Sequence, residues 1–161
     1  EIAYALEHML HAQNYTAVVL DSATVRGGLS RDLGFSAADQ AENLRRVAEC
    51  ARILNDSGMI AISAFLSPSK QARQQAAELI GTDRYLEIYL DASLDWCKAQ
   101  DHTGCYEQSE KGLLKNLAGV DYPYEIPLVP VLTIPRESES EGQSVADIMT
   151  LLKDRGFLLK E

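Results

Sequence analysis

Reactive side chains gather early in the chain, in Leu20-Asp21-Ser22-Ala23-Thr24-Val25-Arg26 and the adjoining Gly27-Gly28-Leu29-Ser30-Arg31-Asp32-Leu33-Gly34-Phe35. The apolar run from Thr16 to Leu20 delivers a carboxylate, a polar turn and the cation of Arg26 to one strand end. Arg31 adds a second cation and Phe35 a flat ring. Cations suit phosphate or sulfate oxygens, a ring suits a base, and a carboxylate suits a metal or a hydroxyl. Together these are the groups that grip a nucleotide. Read one at a time, the lesser readings are Asp21 as an N-cap and Arg26 and Arg31 as surface ion-pair partners.

These residues need elements to hold them. The apolar spacing of Ile2, Leu6, Met9 and Leu10 predicts a helix from Glu1 to Gln13, and Thr16–Leu20 a buried strand. Ser36, with Asp39 three residues on, starts a helix to about Asp56 that turns Leu44, Val47, Ala48, Ala51 and Leu54 inward. Met59–Phe65, Arg84–Leu90 and Val129–Ile134 are the further strands. Polar helices follow from Ser69 and Ser93, and a closing helix from Gln143 to Arg155 ends at Gly156. Residues 101–127 are rich in Gly, Pro and charge and predict a lid or substrate loop with a short helix near Tyr106 to Leu114, while 136–143 predict a solvated loop.

Strands alternating with helices mean an α/β parallel sheet flanked by helices on both faces, with ligands beyond the carboxyl ends of the strands. Asp21, Ser67 and Asp91 all stand at such ends, so one cleft is expected to hold all three.

The chain has 161 residues, 46% hydrophobic and 24% charged, which fits one globular domain with a sizeable core. A net charge of −9 argues against nucleic acid or an anionic membrane as partner, and obliges any anionic ligand to find a local cation cluster. No apolar run approaches a membrane span, and no leader pattern opens the sequence. Cys50, Cys97 and Cys105 are too scattered for a disulfide scaffold or structural zinc, which predicts a reducing, cytoplasmic setting. His8 and His11 are read as a solvated helix face, and Trp96 as core rather than ligand.

From Ile2 to about Leu158 the chain resembles the adenylyl-sulfate (APS) kinases. Their substrate segment reads L-D-G-D-N-V-R-x-G-L-N-x-D-L-G-F, close to residues 20–35. Asp39-Gln40-Ala41-Glu42-Asn43-Leu44-Arg45-Arg46-Val47 is similar to D-R-x-E-N-[IL]-R-R-[IV], and Ala64-Phe65-Leu66-Ser67-Pro68 to S-F-I-S-P. Gly104-Cys105-Tyr106, Gly112, Lys115, Gly119-Val120-Asp121, Pro123-Tyr124-Glu125 and Pro127 follow the family's lid. The order and spacing of these blocks carry the resemblance.

What it implies is a P-loop-kinase-type sheet and transfer of the γ-phosphate of ATP, with Mg²⁺, to the 3′-hydroxyl of APS, giving PAPS for sulfate assimilation. Asp21 is implied as catalytic, and Arg26, Phe35, Asn43, Leu66, Ser67 and Lys115 as substrate-binding, with no protein-held metal. A homodimer, or fusion to or association with ATP sulfurylase, is the implied assembly.

The family's phosphate cradle, G-x-x-x-x-G-K-[ST], is absent from these residues, so residues 1–161 are expected to be a single such domain lacking the N-terminal P-loop strand. A gap or a strand from elsewhere is then expected in mid-sheet. Ala23 replaces the second carboxylate of D-G-D-N and Gln40 replaces a ligand-gripping Arg. The family's basic lid, R-D-x-K-G-L-Y-x-K-A-R, is Gln100 to Glu110 here, with Glu107 and Glu110 among neutral residues. The alternative is therefore a catalytically degenerate APS- or PAPS-binding domain that regulates or scaffolds, or a kinase turned to another hydroxyl.

Overall fold

A computed structural model describes residues 1–159. The elements in order are α1 (Ile2–Ala12), β1 (Ala17–Asp21), α2 (Ser22–Gly27), α3 (Ala37–Asp56), β2 (Ile60–Ala64), α4 (Lys70–Ile80), β3 (Ile88–Asp91), α5 (Leu94–Ala99), α6 (Cys105–Glu110), β4 (Leu132–Pro135) and α7 (Glu141–Asp154). β1 pairs with β2 in parallel, Ala17 opposite Ile60 through Asp21 opposite Ala64. β3 pairs with β4 in parallel, Ile88 opposite Leu132 through Asp91 opposite Pro135. Among the described residues the two pairs are separate two-stranded sheets.

Alternation along the strands sends residues to two cores. Ile60 and Ile62 of β2, with Ala17, Ile88 and Ile134, face Leu6 and Leu10 of α1 and Val145, Ile148, Met149 and Leu152 of α7. Leu20 and Ala61 point the other way, against Ala48, Ala51 and Ile80 of α3 and α4. The first core spans both strand pairs, so α1 and α7 hold together what backbone hydrogen bonds do not. Between the pairs lies a cavity of about 430 Å³, bounded by Ile60–Ser63 on one side and Leu86–Ile88 on the other. Among the described residues no strand lies between the two pairs.

Hydroxyls start most of the longer helices. Ser36, Ser69, Ser93 and Ser140 each accept a hydrogen bond from the backbone N–H three residues on, satisfying an otherwise unpaired donor. The outer edge of β1 is closed by α1: Glu7 accepts from the Val19 N–H at 2.9 Å, and the His11 ring meets the Ala17 carbonyl at 2.9 Å. His11 is thus an edge cover rather than a merely solvated group, which removes backbone that would template a foreign strand.

Several boundaries differ from the sequence expectation. The last strand starts at Leu132, not Val129, whose side chain is 88% exposed. The third begins at Ile88, because the segment after α4 turns at Gly81 and spends Arg84 on Asp56 (2.8 Å) and the Ile80 carbonyl (2.7 Å). The closing helix begins at Glu141, since Ser140 caps it inside the expected loop. Trp96 is half-buried under Arg136, 5.8 Å from its ring centre, rather than in the core.

Two ionic brackets set the segments that matter for the site. Arg46 of α3 reaches Asp32 at 2.6 and 2.9 Å, the Leu29 carbonyl at 2.9 Å and Glu42 at 2.9 Å, tying down the loop that ends in Phe35. Arg73 of α4 is 8% exposed. It donates to the Ser67 carbonyl (2.8 Å) and the Glu125 carbonyl (2.7 Å). It also pairs with Glu87 at 2.6 Å, at an angle outside that of a hydrogen bond.

Arg73→Ala strands Glu87 and two carbonyls, so it should lower stability by about 3 kcal/mol, the low end for breaking a buried pair because Glu87 keeps some solvent. The urea midpoint measures this, and a loss below about 1 kcal/mol would show the pair to be peripheral. The Glu42 bracket gives a pH dependence. Arg45 first and Arg46 second pull its carboxyl from 4.5 down to about 2. A depressed carboxylate stabilises the fold above its unfolded value and loses that contribution as pH falls through its folded one. The stability difference between the protein and Glu42→Gln should therefore be full above about pH 5 and close toward pH 2, followed by urea unfolding across that range.

Candidate functional site

At the carboxyl ends of β1 and β2 the chain leaves a second cavity of about 150 Å³. Arg26, Phe35, Asn43, Leu66, Ser67 and Lys115 all line it, brought together from α2, the loop before α3, α3 itself, the exit of β2 and the lid. Asp21 does not line it, although its neighbour Ser22 does. Asp91 lines neither cavity, so the expected three-residue cleft is not formed. Its backbone carbonyl binds Arg136 N–H at 2.9 Å, and its carboxylate accepts from the Tyr89 hydroxyl at 3.2 Å.

Each wall has a local cause. Asp21 ends β1 in an extended conformation and caps α2, accepting from the Thr24 N–H at 2.7 Å. The Tyr4 hydroxyl of α1 donates to its other oxygen. That phenol, and then the Thr24 N–H, hold the Asp21 carboxyl below its ordinary range, and the carboxylate in turn raises Tyr4. Asp21 is therefore a cap and a charged acceptor at once. Tyr4 has no counterpart in the sequence argument, because a single tyrosine on a helix carries no pattern.

Arg26 sits one turn on and folds over the Phe35 ring, 4.2 Å from its centre. One nitrogen donates to the Gly34 carbonyl at 2.9 Å. The guanidinium thus fixes the ring's approach while its remaining N–H groups stay available. Phe35 is 52% exposed, an unusual state for a phenylalanine without a partner surface. Asn43 is buried, and its carboxamide oxygen has no hydrogen-bond partner. A buried acceptor left open costs free energy unless a ligand donates to it.

Ser67 occupies the left-handed region, φ 43°, which a serine rarely adopts. Arg73 holds its carbonyl, and the 123–127 strap closes on the same turn: Glu125 donates its N–H to the Pro68 carbonyl at 2.9 Å and accepts from the Lys70 N–H at 2.7 Å. Tyr124 stacks on Tyr89 at 6.3 Å and lies under Arg73. The signal for Arg73 was weak but present: it lies beside Ala72, Ala76 and Ile80, the small and apolar side of α4.

The lid is ordered by its own contacts. Asp101 takes the N–H groups of Thr103, Gly104 and Tyr106 to start α6, and the Thr103 hydroxyl foremost keeps its carboxyl depressed. Lys98 pairs with Glu110 at 2.7 Å and Lys111 with Glu107. Cations near the lid are thus spent on carboxylates within it. Lys115 is the lid cation that faces the cavity. No group of three His, Cys, Asp or Glu among the described residues is placed to hold a metal ion.

Comparison with known proteins agrees with this architecture. A profile of the Adenylylsulphate kinase family matches residues 1–135. The chain is 39% identical over 157 residues to an adenylyl-sulfate kinase of Vibrio cholerae, covering 98% of this chain and 73% of that one. It is 40% identical to the bifunctional enzyme NodQ of Rhizobium tropici, covering 96% of this chain and 24% of that one. Among solved structures it is similar to the Mycobacterium tuberculosis APS kinase CysC in complex with AMPPNP and APS, with a TM-score of 0.90 at 32% identity over 94% of this chain and 88% of that one. It is also similar to a hexameric APS kinase from Thiobacillus denitrificans, with a TM-score of 0.74 at 26% identity over 99% of this chain and 27% of that one. With more than half its length matched by the family profile and relatives near 40% identity, the chain belongs to the adenylylsulphate kinase family.

Proposed function

We propose that this chain forms the adenylyl-sulfate side of a kinase that moves the γ-phosphate of ATP to the 3′-hydroxyl of APS, giving PAPS and ADP. The observation that carries this is the convergence of Arg26, Phe35, Asn43, Leu66, Ser67 and Lys115 on one cavity at the strand ends. Phe35 stacks the adenine, with Arg26 behind the ring. The free Asn43 oxygen takes a ribose hydroxyl or an exocyclic amine, since an acceptor repels the phosphosulfate. The uncommitted N–H groups of Arg26, with Lys115 from the lid, meet the anion. Asp21, charged and oriented by Tyr4 and Thr24, orders the attacking hydroxyl.

Mg²⁺ bound with ATP would supply charge neutralisation on the phosphates. Such an ion would be held mainly by phosphate oxygens and water, with Asp21 as the one nearby carboxylate that would orient its shell.

The slot between β2 and β3 is apolar and flanked by two parallel pairs, which suits a further strand from outside these residues. In this reading that strand delivers the phosphate loop. By likeness to the hexameric and bifunctional relatives, the working protein is a homo-oligomer or part of a larger fused chain; association with ATP sulfurylase in the cytoplasm is what the family resemblance implies. No described helix is long and apolar enough to cross a membrane.

A second reading, binding without turnover, is favoured by Ala23 and by the pairing of Lys98 and Lys111 with the lid carboxylates Glu110 and Glu107. A coupled assay of PAPS formation on full-length protein with an intact phosphate loop, alongside calorimetric titration of APS and PAPS, separates the two. We expect turnover below the usual ~1–100 s⁻¹ of kinases. Restoring the carboxylate with Ala23→Asp should raise kcat by about 10²-fold, the low end for a positioned acid or base. No gain, with APS still bound, would point to another acceptor hydroxyl. Phe35→Ala should weaken APS binding by about tenfold or more, the loss of one stacked base, and an unchanged affinity would remove the ring from the site.

A further inference from the structure

The lid meets the rest of the site at one place that its chemistry does not lead one to expect. The Phe35 carbonyl accepts from two side-chain amides, Gln40 of α3 at 3.0 Å and Asn116 of the lid at 2.9 Å. The same Gln40 amide also reaches the Asn116 carbonyl at 3.4 Å. Asn116 stands at φ 62°, a conformation asparagine tolerates, and the Asp121 carboxylate brackets it by accepting from the N–H groups of Asn116 and Leu117 at 2.8 and 2.6 Å.

We propose that Gln40 and Asn116 form a latch that positions the lid, docking residues 114–117 on the backbone of Phe35 through neutral hydrogen bonds. Lid closure and setting of the Phe35 ring are then a single event. The latch rests on the functional reading above only for its kinetic consequence; the docking itself does not.

Charge explains why a neutral contact serves here. Position 40 carries no cation to hold a ligand, while Lys98 of α5 and Lys111 of the lid are committed to Glu110 and Glu107. Docking by amides has no Coulomb attraction to lose, so salt should leave it in place, whereas a lid held by exposed charge loosens as ionic strength rises. Gln40 does not face a ligand with charge. It donates to the Phe35 carbonyl and to the Asn116 carbonyl 76 positions on, and so fixes Lys115, one position before the latch, over the cavity.

Hydrogen exchange of the full-length protein without nucleotide tests this directly, at low and at high ionic strength. Gln40→Ala, Gln40→Glu and Asn116→Ala should each speed exchange across residues 114–121 about fivefold or more, as expected for losing one or two hydrogen bonds from a local opening. Gln40→Arg keeps a donor and should stay near the parent. Exchange in the middle of α3 should be unmoved throughout, and salt should not change the parent lid.

In turnover, Gln40→Ala and Asn116→Ala should raise KM for adenylyl sulfate about fivefold with kcat little altered, because the latch orders the binding site and not the reacting atoms. Lid exchange unchanged in both alanine variants would overturn the latch. So would a rise in α3 equal to that in the lid, which would make Gln40 a helix residue and nothing more. Absence of turnover in the parent would count against the proposed function alone, since the exchange result decides the latch without it.

Discussion

Between the exit of β2 and the strap at 123–127 the chain takes a guanidinium out of water, and much of the site follows from how that charge is satisfied. A buried cation demands a counterion and acceptors for its fixed fork of donors. Arg73 finds them in Glu87, the Ser67 carbonyl and the Glu125 carbonyl, from three separate parts of the chain. Ser67 is thereby held in a backbone conformation it would not choose. The strap is pinned to the start of α4, and Tyr124 is laid beneath the cation. The price of burying the charge is what forces these segments into one arrangement.

Anion recognition in this molecule is a local matter set against a net charge of −9. The cavity at the strand ends has Arg26 and Lys115 as its cations, the first already half committed to the Phe35 loop. Elsewhere cations are cancelled close to home: Arg46 by Asp32 and Glu42, Arg52 by Glu49 and Asp56, Lys98 by Glu110. Exposed pairs of this kind add little stability each. Their effect here is organisational, since they hold the Phe35 loop and the lid without drawing on an anionic ligand.

The sheet shows the same division between what is bonded and what is packed. Among the described residues the two parallel pairs share no ladder, yet Leu6, Leu10, Ile148 and Leu152 bridge them in one apolar core. Apolar burial is non-directional, so helices α1 and α7 keep the pairs in place across the slot where backbone pairing cannot reach. The slot remains lined by β2 and the approach to β3, with unpaired strand edges on both sides.

Much of this could be read from the residues in order. Buried parallel strands announce themselves as short apolar runs, and Ser36, Ser69 and Ser93 announce helix starts, because both features are satisfied within a few residues of where they occur. The motif residues Arg26, Phe35, Asn43, Leu66, Ser67 and Lys115 were likewise legible, and the fold gathers them. Asp91 was misplaced because a strand end fixes a side of the sheet but not a cavity. Tyr4 on Asp21, Arg73 on Glu125, and Gln40 and Asn116 on Phe35 join residues 17, 52 and up to 81 positions apart. Nothing local distinguishes them from ordinary surface groups. The sequence by itself determined the elements, their order and the side of the sheet on which chemistry would lie. Tertiary structure alone decided which polar groups would be left without water and made to find one another, because desolvation is a property of the packed chain and not of any segment.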